Sequence, residues 1–235
     1  MVGMKHRLFL FDLDDTLLDF KASERLSFTR TMRQLGLDGN LDALFADYQP
    51  INLALWKSLE AGTVSKDFLK VERFRLTFAA HGLDLDPLLA SRTYLESLAD
   101  SVVLIDGAKA LCQRLAAIGE VGIITNGIEH VQASRVASSG LGQHISFVST
   151  SDACGHAKPD VRFFEHTARM ARAFAHHHTV IVGDRLDADI LGANRFGIDS
   201  CWYNPARLAN GSEAVPSCEA ATLHDIIPAL ERLAA

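Results

Sequence analysis

Four apolar residues, Leu8-Phe9-Leu10-Phe11, form a strand-like run near the start of this 235-residue chain, and it lacks a strand partner nearby, because the residues from about 22 to 99 carry helical patterns only. A buried strand cannot stand alone, because its backbone N–H and C=O groups need partners. The run over 7–11 must therefore pair with strands much later in the chain. Those later strands alternate with helices. Helix-period patterns cover 107–118, 129–139, 160–174 and 187–196, apolar runs follow at 121–124, 147–148, 180–182 and 201–203, and a closing helix spans 223–233. Such alternation implies right-handed crossovers and a parallel sheet. Residues 22–99 differ. They carry only helical patterns, at 23–35, 41–59, 65–81 and 87–98, separated by Gly36, Gly39, Gly62 and Gly82. Ser23 and Ser65 are expected N-caps, and Pro87 suits a first helical turn. The predicted class is α/β. A doubly wound parallel sheet forms a core from residues 1–18 and 101–235, and a helical cap domain of residues 19–100 is inserted after the first strand.

Hydrophobic residues make up 48% of the chain, enough for a large core and against global disorder. The formal net charge of −6 argues against the broad basic surface that grips a nucleic acid polymer. An anionic ligand must then be met by a few local donors or by a metal ion. Cys112, Cys154, Cys201 and Cys218 make no C-x-x-C pair, which fits a reduced, cytoplasmic chain without a disulfide frame or zinc site. Asp12 cuts the first apolar run too early for a signal peptide or a membrane span, so no membrane partner is expected. His176-His177-His178, between a predicted helix and strand, reads as loop, and Trp56, Phe68, Phe74 and Phe78 read as core of the helical block.

In an open parallel sheet, ligands bind beyond the carboxyl ends of the strands. Asp12 and Asp14 follow the first predicted strand and Thr125-Asn126-Gly127 the second. A loop ending in Lys158-Pro159 follows the third, and Gly183-Asp184, with Asp187 and Asp189 close behind, the fourth. Each alone reads as an ordinary cap, turn or surface residue. Together, at the strand ends of one sheet, they point to a site. Carboxylates gathered at one rim repel unless a cation joins them, and oxygen donors without His or Cys point to Mg²⁺. The expected ligands are Asp12, Asp184 and the backbone carbonyl of Asp14, with Asp189 holding metal-bound water or Lys158. Such a rim suits a phosphoryl group. Mg²⁺ would neutralise and orient it. Thr125 offers a hydroxyl, Asn126 and Gly127 offer backbone N–H groups at a helix start, and Lys158 offers a positive charge. Asp12 can attack phosphorus as a carboxylate. Asp14 lies two residues on, on the same side of extended chain, and can protonate the leaving oxygen and then take a proton from water.

These segments resemble known motifs. Phe11 to Leu17, Ile124 to Gly127, Gly155 to Asp160 and Val182 to Ile190 resemble the four motifs of the haloacid dehalogenase-like superfamily. The resemblance implies a Rossmann-like core, a helical cap, Asp12 as nucleophile and Asp14 as acid/base. Within the superfamily the chain is similar to the bacterial pyrimidine 5'-nucleotidase group. Residues 48–56 carry that likeness, with 123–127, Asp189-Ile190-Leu191-Gly192-Ala193-Asn194 and Cys201-Trp202-Tyr203-Asn204. It implies a small phosphorylated substrate, a pyrimidine nucleoside 5'-monophosphate. The rival readings are a phosphatase for phosphoglycolate or a sugar phosphate, and a phospho-ligand-binding protein without turnover. Dehalogenation fits less well, because a halide leaving group needs no proton from Asp14. Arg185 departs from the pattern, where a small polar residue is usual; it either pairs inward with Asp184 or phosphate, or turns out. Asp187 rivals Asp189 as the second acidic group, and the nucleotidase spacing favours Asp189. His156 is open between site and loop. Lys57, Lys66 and Arg73 are the expected readers of the leaving group, under a cap that closes over the site.

Overall fold

The computed structural model describes residues 4–233. Its strands are β1 (Leu8–Phe11), β2 (Glu120–Thr125), β3 (Phe147–Thr150), β4 (Thr179–Gly183), β5 (Asp199–Tyr203) and β6 (Cys218–Ala220). All pair in parallel, in the order β3-β2-β1-β4-β5-β6. The first strand thus lies between β2 and β4, where the order of connections reverses. Every residue of β1, β2 and β4 is buried, as a strand covered on both faces requires.

The chain divides into two compact units, Met1–Phe20 with Val102–Ala235, and Lys21–Ser101. In the first, side chains of β1 alternate between two apolar layers. Phe9 and Phe11 pack with Leu111 and Leu115 of α5 (Ala108–Ala116) and with Ile226 and Leu230 of α10 (Ile226–Arg232). Leu8 and Leu10 pack with Phe163 and Phe164 of α8 (Val161–Met170) and Ala193 of α9 (Leu191–Phe196). Each of these buried strand side chains contributes roughly 1.5–3 kcal/mol. Helices α6 (Glu129–Ser138) and the single-turn α7 (Ser151–Cys154) complete this unit. Around the insertion point, Asp19 N donates to Val103 O (2.8 Å) and Ile105 N to Leu17 O (3.0 Å), with Leu18 bridging antiparallel to Leu104. A short two-stranded ribbon thereby clamps the outgoing and returning chain.

The second unit holds most of α1 (Phe20–Gln34), with α2 (Asp42–Glu60), α3 (Lys66–Ala80) and α4 (Pro87–Asp100). Phe28, Phe45, Tyr48, Phe74 and Tyr94 form its aromatic core, with ring centroids from 4.7 to 6.1 Å apart. Phe78 joins the buried set, but Phe68 is 49% exposed. Ser65 caps α3 by accepting from Phe68 N at 3.1 Å. Ser23 does not cap α1. The helix begins at Phe20, whose N–H donates to Asp15 Oδ1 (3.0 Å), so Ser23 falls inside it and is buried. Two further departures have local causes. Helix α8 stops at Met170, short of the expected 174, because Glu120 Oε2 accepts from the N–H groups of Arg172 and Ala173 (both 2.8 Å) and turns the chain out. Strand β6 follows a long polar loop and has three residues, too few for a periodic signal. Among the described residues no helix is long and apolar enough to cross a membrane.

Candidate functional site

The rim at the carboxyl ends of β1, β2 and β4 gathers the chemistry. Asp12 N donates to Val182 O (2.9 Å), extending the β1–β4 ladder by one residue and setting Asp12 beside Gly183-Asp184. The chain then turns sharply. Leu17 N and Leu18 N both reach Leu13 O (3.0 and 2.9 Å), Asp15 adopts φ 58°, and Leu13, Leu17 and Leu18 are fully buried. Aspartate tolerates that left-handed conformation better than most residues. The apolar anchors and one aspartate thus fix the turn that presents Asp12 and Asp14.

Lys158 is the hub. Its Nζ donates to Asp12 Oδ1 (2.6 Å), Asp189 Oδ1 (2.7 Å) and Ile124 O (2.8 Å), which uses all three ammonium hydrogens. Asn126 holds the lysine backbone from both sides: its Oδ1 accepts from Lys158 N (2.8 Å) and its Nδ2 donates to Lys158 O (3.0 Å). The Lys158–Pro159 peptide is cis. Asp189 sits on a π-helical turn, Leu186–Ile190, and its Oδ2 also accepts from Arg185 N (3.1 Å). Such turns are rare and recur at functional sites. Gly183 makes the approach possible, since a Cβ there would lie 2.3 Å from Asp189 Oδ2. Trp202 Nε1 donates to Asp184 O (2.9 Å), and Thr16 Oγ1 donates to Asp184 Oδ1 (3.4 Å).

Thr125 Oγ1 accepts from Gly127 N (3.0 Å) and Gln132 Nε2 (2.9 Å). With both lone pairs met, its O–H hydrogen is what it has to offer a ligand. The Gly127 N–H, expected as an anion donor, is instead directed to Thr125. Asp14 is held from α6: Gln132 Nε2 donates to its Oδ2 (2.7 Å) and Arg135 Nη1 donates to its Oδ1. Sequence reasoning missed Gln132 and Arg135. Their one signal is two polar residues, three apart, on the face of α6 that also buries Val131 and Val136.

Asp12, Asp184 and Asp189 each offer an oxygen, all within 4.8 Å of one another, and they form the one such acidic or His/Cys cluster among the described residues. Three carboxylates against the single ammonium of Lys158 leave two negative charges uncancelled. Burial pushes the Asp12 carboxyl up, against the pull of Lys158. Burial alone would lower Lys158, but Asp12 and Asp189 outweigh it and hold it as an ammonium. Asp184 is lifted to about 7, first by burial and then by the charges of Asp189 and Asp15. Hard oxygen donors with an excess of two negative charges fit one divalent cation such as Mg²⁺.

Other candidates lie elsewhere. Arg185 turns to Asp187, with Nε to Oδ1 at 3.0 Å and Nη2 to Oδ2 at 2.8 Å, and the Asp187 side chain is 69% exposed. That exposed pair leaves Asp189, not Asp187, in the cluster. His156 faces Asp160 at 3.9 Å. His178 Nδ1 meets Lys5 O at 2.8 Å, and His176 packs on Phe174 and Phe196. Within the helical unit, Lys57 is exposed and Lys66 partly so. Arg73 is buried, its guanidinium 4.5 Å from the Tyr94 ring centroid and donating to Asn52 Oδ1 (3.2 Å).

A parallel sheet with a polar, charge-rich cluster at its switch point defines the class: an α/β enzyme core. Residues 6–197 match the sequence pattern of the haloacid dehalogenase-like hydrolases. The chain is 35% identical over 230 residues to the pyrimidine 5'-nucleotidase PynA of Streptococcus pneumoniae, covering 97% of each. It is 27% identical over 226 residues to the pyrimidine 5'-nucleotidase YjjG of Escherichia coli, covering 95% of this chain and 97% of that one. A solved structure of the HAD-hydrolase YfnB of Bacillus subtilis, bound to magnesium, superposes with a TM-score of 0.88 at 32% identity, over 95% of this chain and 98% of that one. The chain belongs to the haloacid dehalogenase-like hydrolases and is a phosphatase.

Proposed function

We propose that this protein is a Mg²⁺-dependent phosphomonoesterase that works through an aspartyl-phosphate on Asp12 and hydrolyses pyrimidine nucleoside 5'-monophosphates. The observation that carries the chemistry is the charge balance at the rim, three clustered carboxylates of which two bond to the one buried ammonium. The nucleotide part is supported by the near-full-length likeness to PynA and YjjG.

Asp12, Asp184 and the backbone carbonyl of Asp14 would hold Mg²⁺, with Asp189 behind them anchoring Lys158; bound there, it would neutralise and orient the substrate phosphate. The chain's own residues do the rest. Thr125 O–H donates to a phosphoryl oxygen, and Lys158, with its hydrogens already placed, supplies a fixed positive charge beside Asp12. A carboxylate oxygen of Asp12 forms a bond to phosphorus as the ester P–O bond breaks, and Asp14 gives its proton to the departing oxygen. Asp14, now a carboxylate, takes a proton from water. That water's oxygen bonds to phosphorus, the Asp12–phosphorus bond breaks, and phosphate leaves with Asp14 reprotonated.

Side-by-side turnover of UMP, dTMP, phosphoglycolate, sugar phosphates and 4-nitrophenyl phosphate, with MgCl₂ and with EDTA, tests this. UMP or dTMP should give the highest kcat/KM, and EDTA should stop turnover. A preference for phosphoglycolate or a sugar phosphate would overturn the nucleotide assignment, and full activity in EDTA would overturn the metal.

A further inference from the structure

We infer that Gln132 and Arg135 are positioning residues that lock the Asp14 carboxylate and the Thr125 hydroxyl into one fixed unit; the inference rests on the acid/base role proposed for Asp14. Gln132 Nε2 donates to both Asp14 Oδ2 (2.7 Å) and Thr125 Oγ1 (2.9 Å). Its Oε1 accepts from Arg135 Nη1 (2.9 Å), and this fixes which way round the amide lies. The same Nη1 donates to Asp14 Oδ1. Both oxygens of Asp14 are therefore held, and the carboxylate has one orientation.

Two observations set this apart from ordinary packing. First, Arg135 is fully buried, and its Nε and Nη2 have no hydrogen-bond partner among the described residues; the Phe20 ring centroid lies 5.8 Å from the guanidinium carbon. A buried cation with unmet donors lowers stability relative to an apolar side chain of like size. Its placement is explained by what Nη1 holds. Second, Gly127 leaves the room that Gln132 occupies, since a Cβ there would meet Gln132 Nε2 at 2.3 Å and Cδ at 2.7 Å. The glycine, the glutamine and the arginine make one device. It ties the group that protonates the leaving oxygen to the hydroxyl that meets the phosphate. Catalysis is sensitive to displacements of about 1 Å at such groups.

The test is the dependence of kcat/KM on the leaving group, because that constant reports only steps through transfer of phosphorus to Asp12. An alkoxide leaving group, as in UMP, needs the Asp14 proton, whereas 4-nitrophenolate leaves without it. In Arg135→Met and in Gln132→Met, the ratio of kcat/KM for UMP over 4-nitrophenyl phosphate should fall about tenfold or more. The ratio cancels any loss of folded enzyme, so a residue that served stability alone would leave it unchanged. In an Asp14→Asn background, adding Arg135→Met should lower the ratio no further. An unchanged ratio in both single variants, or a full multiplicative drop in the double variant, would overturn the inference. Failure of the underlying reading looks different: Asp14→Asn alone would then leave the ratio at its wild-type value.

Discussion

One methyl group tests how the rim is held. In Gly183→Ala the new Cβ would sit 2.3 Å from Asp189 Oδ2, 2.4 Å from its Cγ and 2.7 Å from its Cβ. Asp189 is 1% exposed and is held at both oxygens, so the clash is not with the loose end of a flexible side chain. Relief to ordinary contact distance requires a shift of about 1 Å. That shift stretches the Lys158–Asp189 contact from 2.7 Å to beyond hydrogen-bond range. Overpacking costs about 1–3 kcal/mol, and unpairing one side of a buried ion pair costs about 3–5 kcal/mol. Lys158 keeps Asp12, so about 3–5 kcal/mol in total is the reasonable sum. For a chain of this size each kcal/mol lowers Tm by about 2–4 °C, so a drop of about 6–20 °C is expected. Displacement of Lys158 beside Asp12 should lower kcat/KM for 4-nitrophenyl phosphate about 100-fold. Melting by circular dichroism and steady-state kinetics read both. Gly211→Ala is the control, since a Cβ at Gly211 meets nothing within 4 Å, and it should change stability by less than about 0.5 kcal/mol. A Gly183→Ala protein with the wild-type Tm and rate would refute the claim that Asp189 anchors Lys158.

Asp12→Asn should reduce turnover about a thousandfold or more while the protein melts at or above the wild-type temperature, because a carboxylate leaves a crowded cluster; appreciable turnover by a clean preparation would reject Asp12 as nucleophile. Asp184 should make metal binding pH-dependent. Its pKa is raised to about 7 in the fold from 3.8, so the native metal-free protein binds more protons than the unfolded chain in that window. This group's contribution to stability is then present at low pH and lost as pH rises through about 4 to 7. The rise in Tm on adding MgCl₂ should grow from pH 5 to pH 8, and equal shifts at the two values would remove Asp184 from the metal site.

Much of this was legible in the sequence. The orphan run at Leu8–Phe11 had to join distant strands, and that requirement alone forces the helical block to be an insertion. Asp12, Thr125, Lys158, Asp184 and Asp189 were findable because each lies at or beyond the carboxyl end of a predicted strand and parallel strands end together. What was missed depends on side-chain geometry. Gln132 and Arg135 look like ordinary helix residues until α6 is docked and their donors meet Asp14. The outward turn of Arg185 is set by a bidentate pair with Asp187, two residues on, which either reading of the sequence allowed. Ser23 misled because the helix start was fixed by Asp15, whose left-handed turn has no periodic signature.

The ribbon at the insertion point has an evolutionary consequence. Because Asp19 and Val103 meet at hydrogen-bond distance, the inserted segment leaves and re-enters the chain of the first unit at one spot, as a closed loop. Doubling the length of such a loop adds only about 0.6 kcal/mol of closure entropy. Lineages are therefore free to trade, shrink or enlarge the segment that begins at Lys21 while the chemistry stays intact. New substrate preferences can be acquired by grafting at this joint, with no need to redesign the sheet.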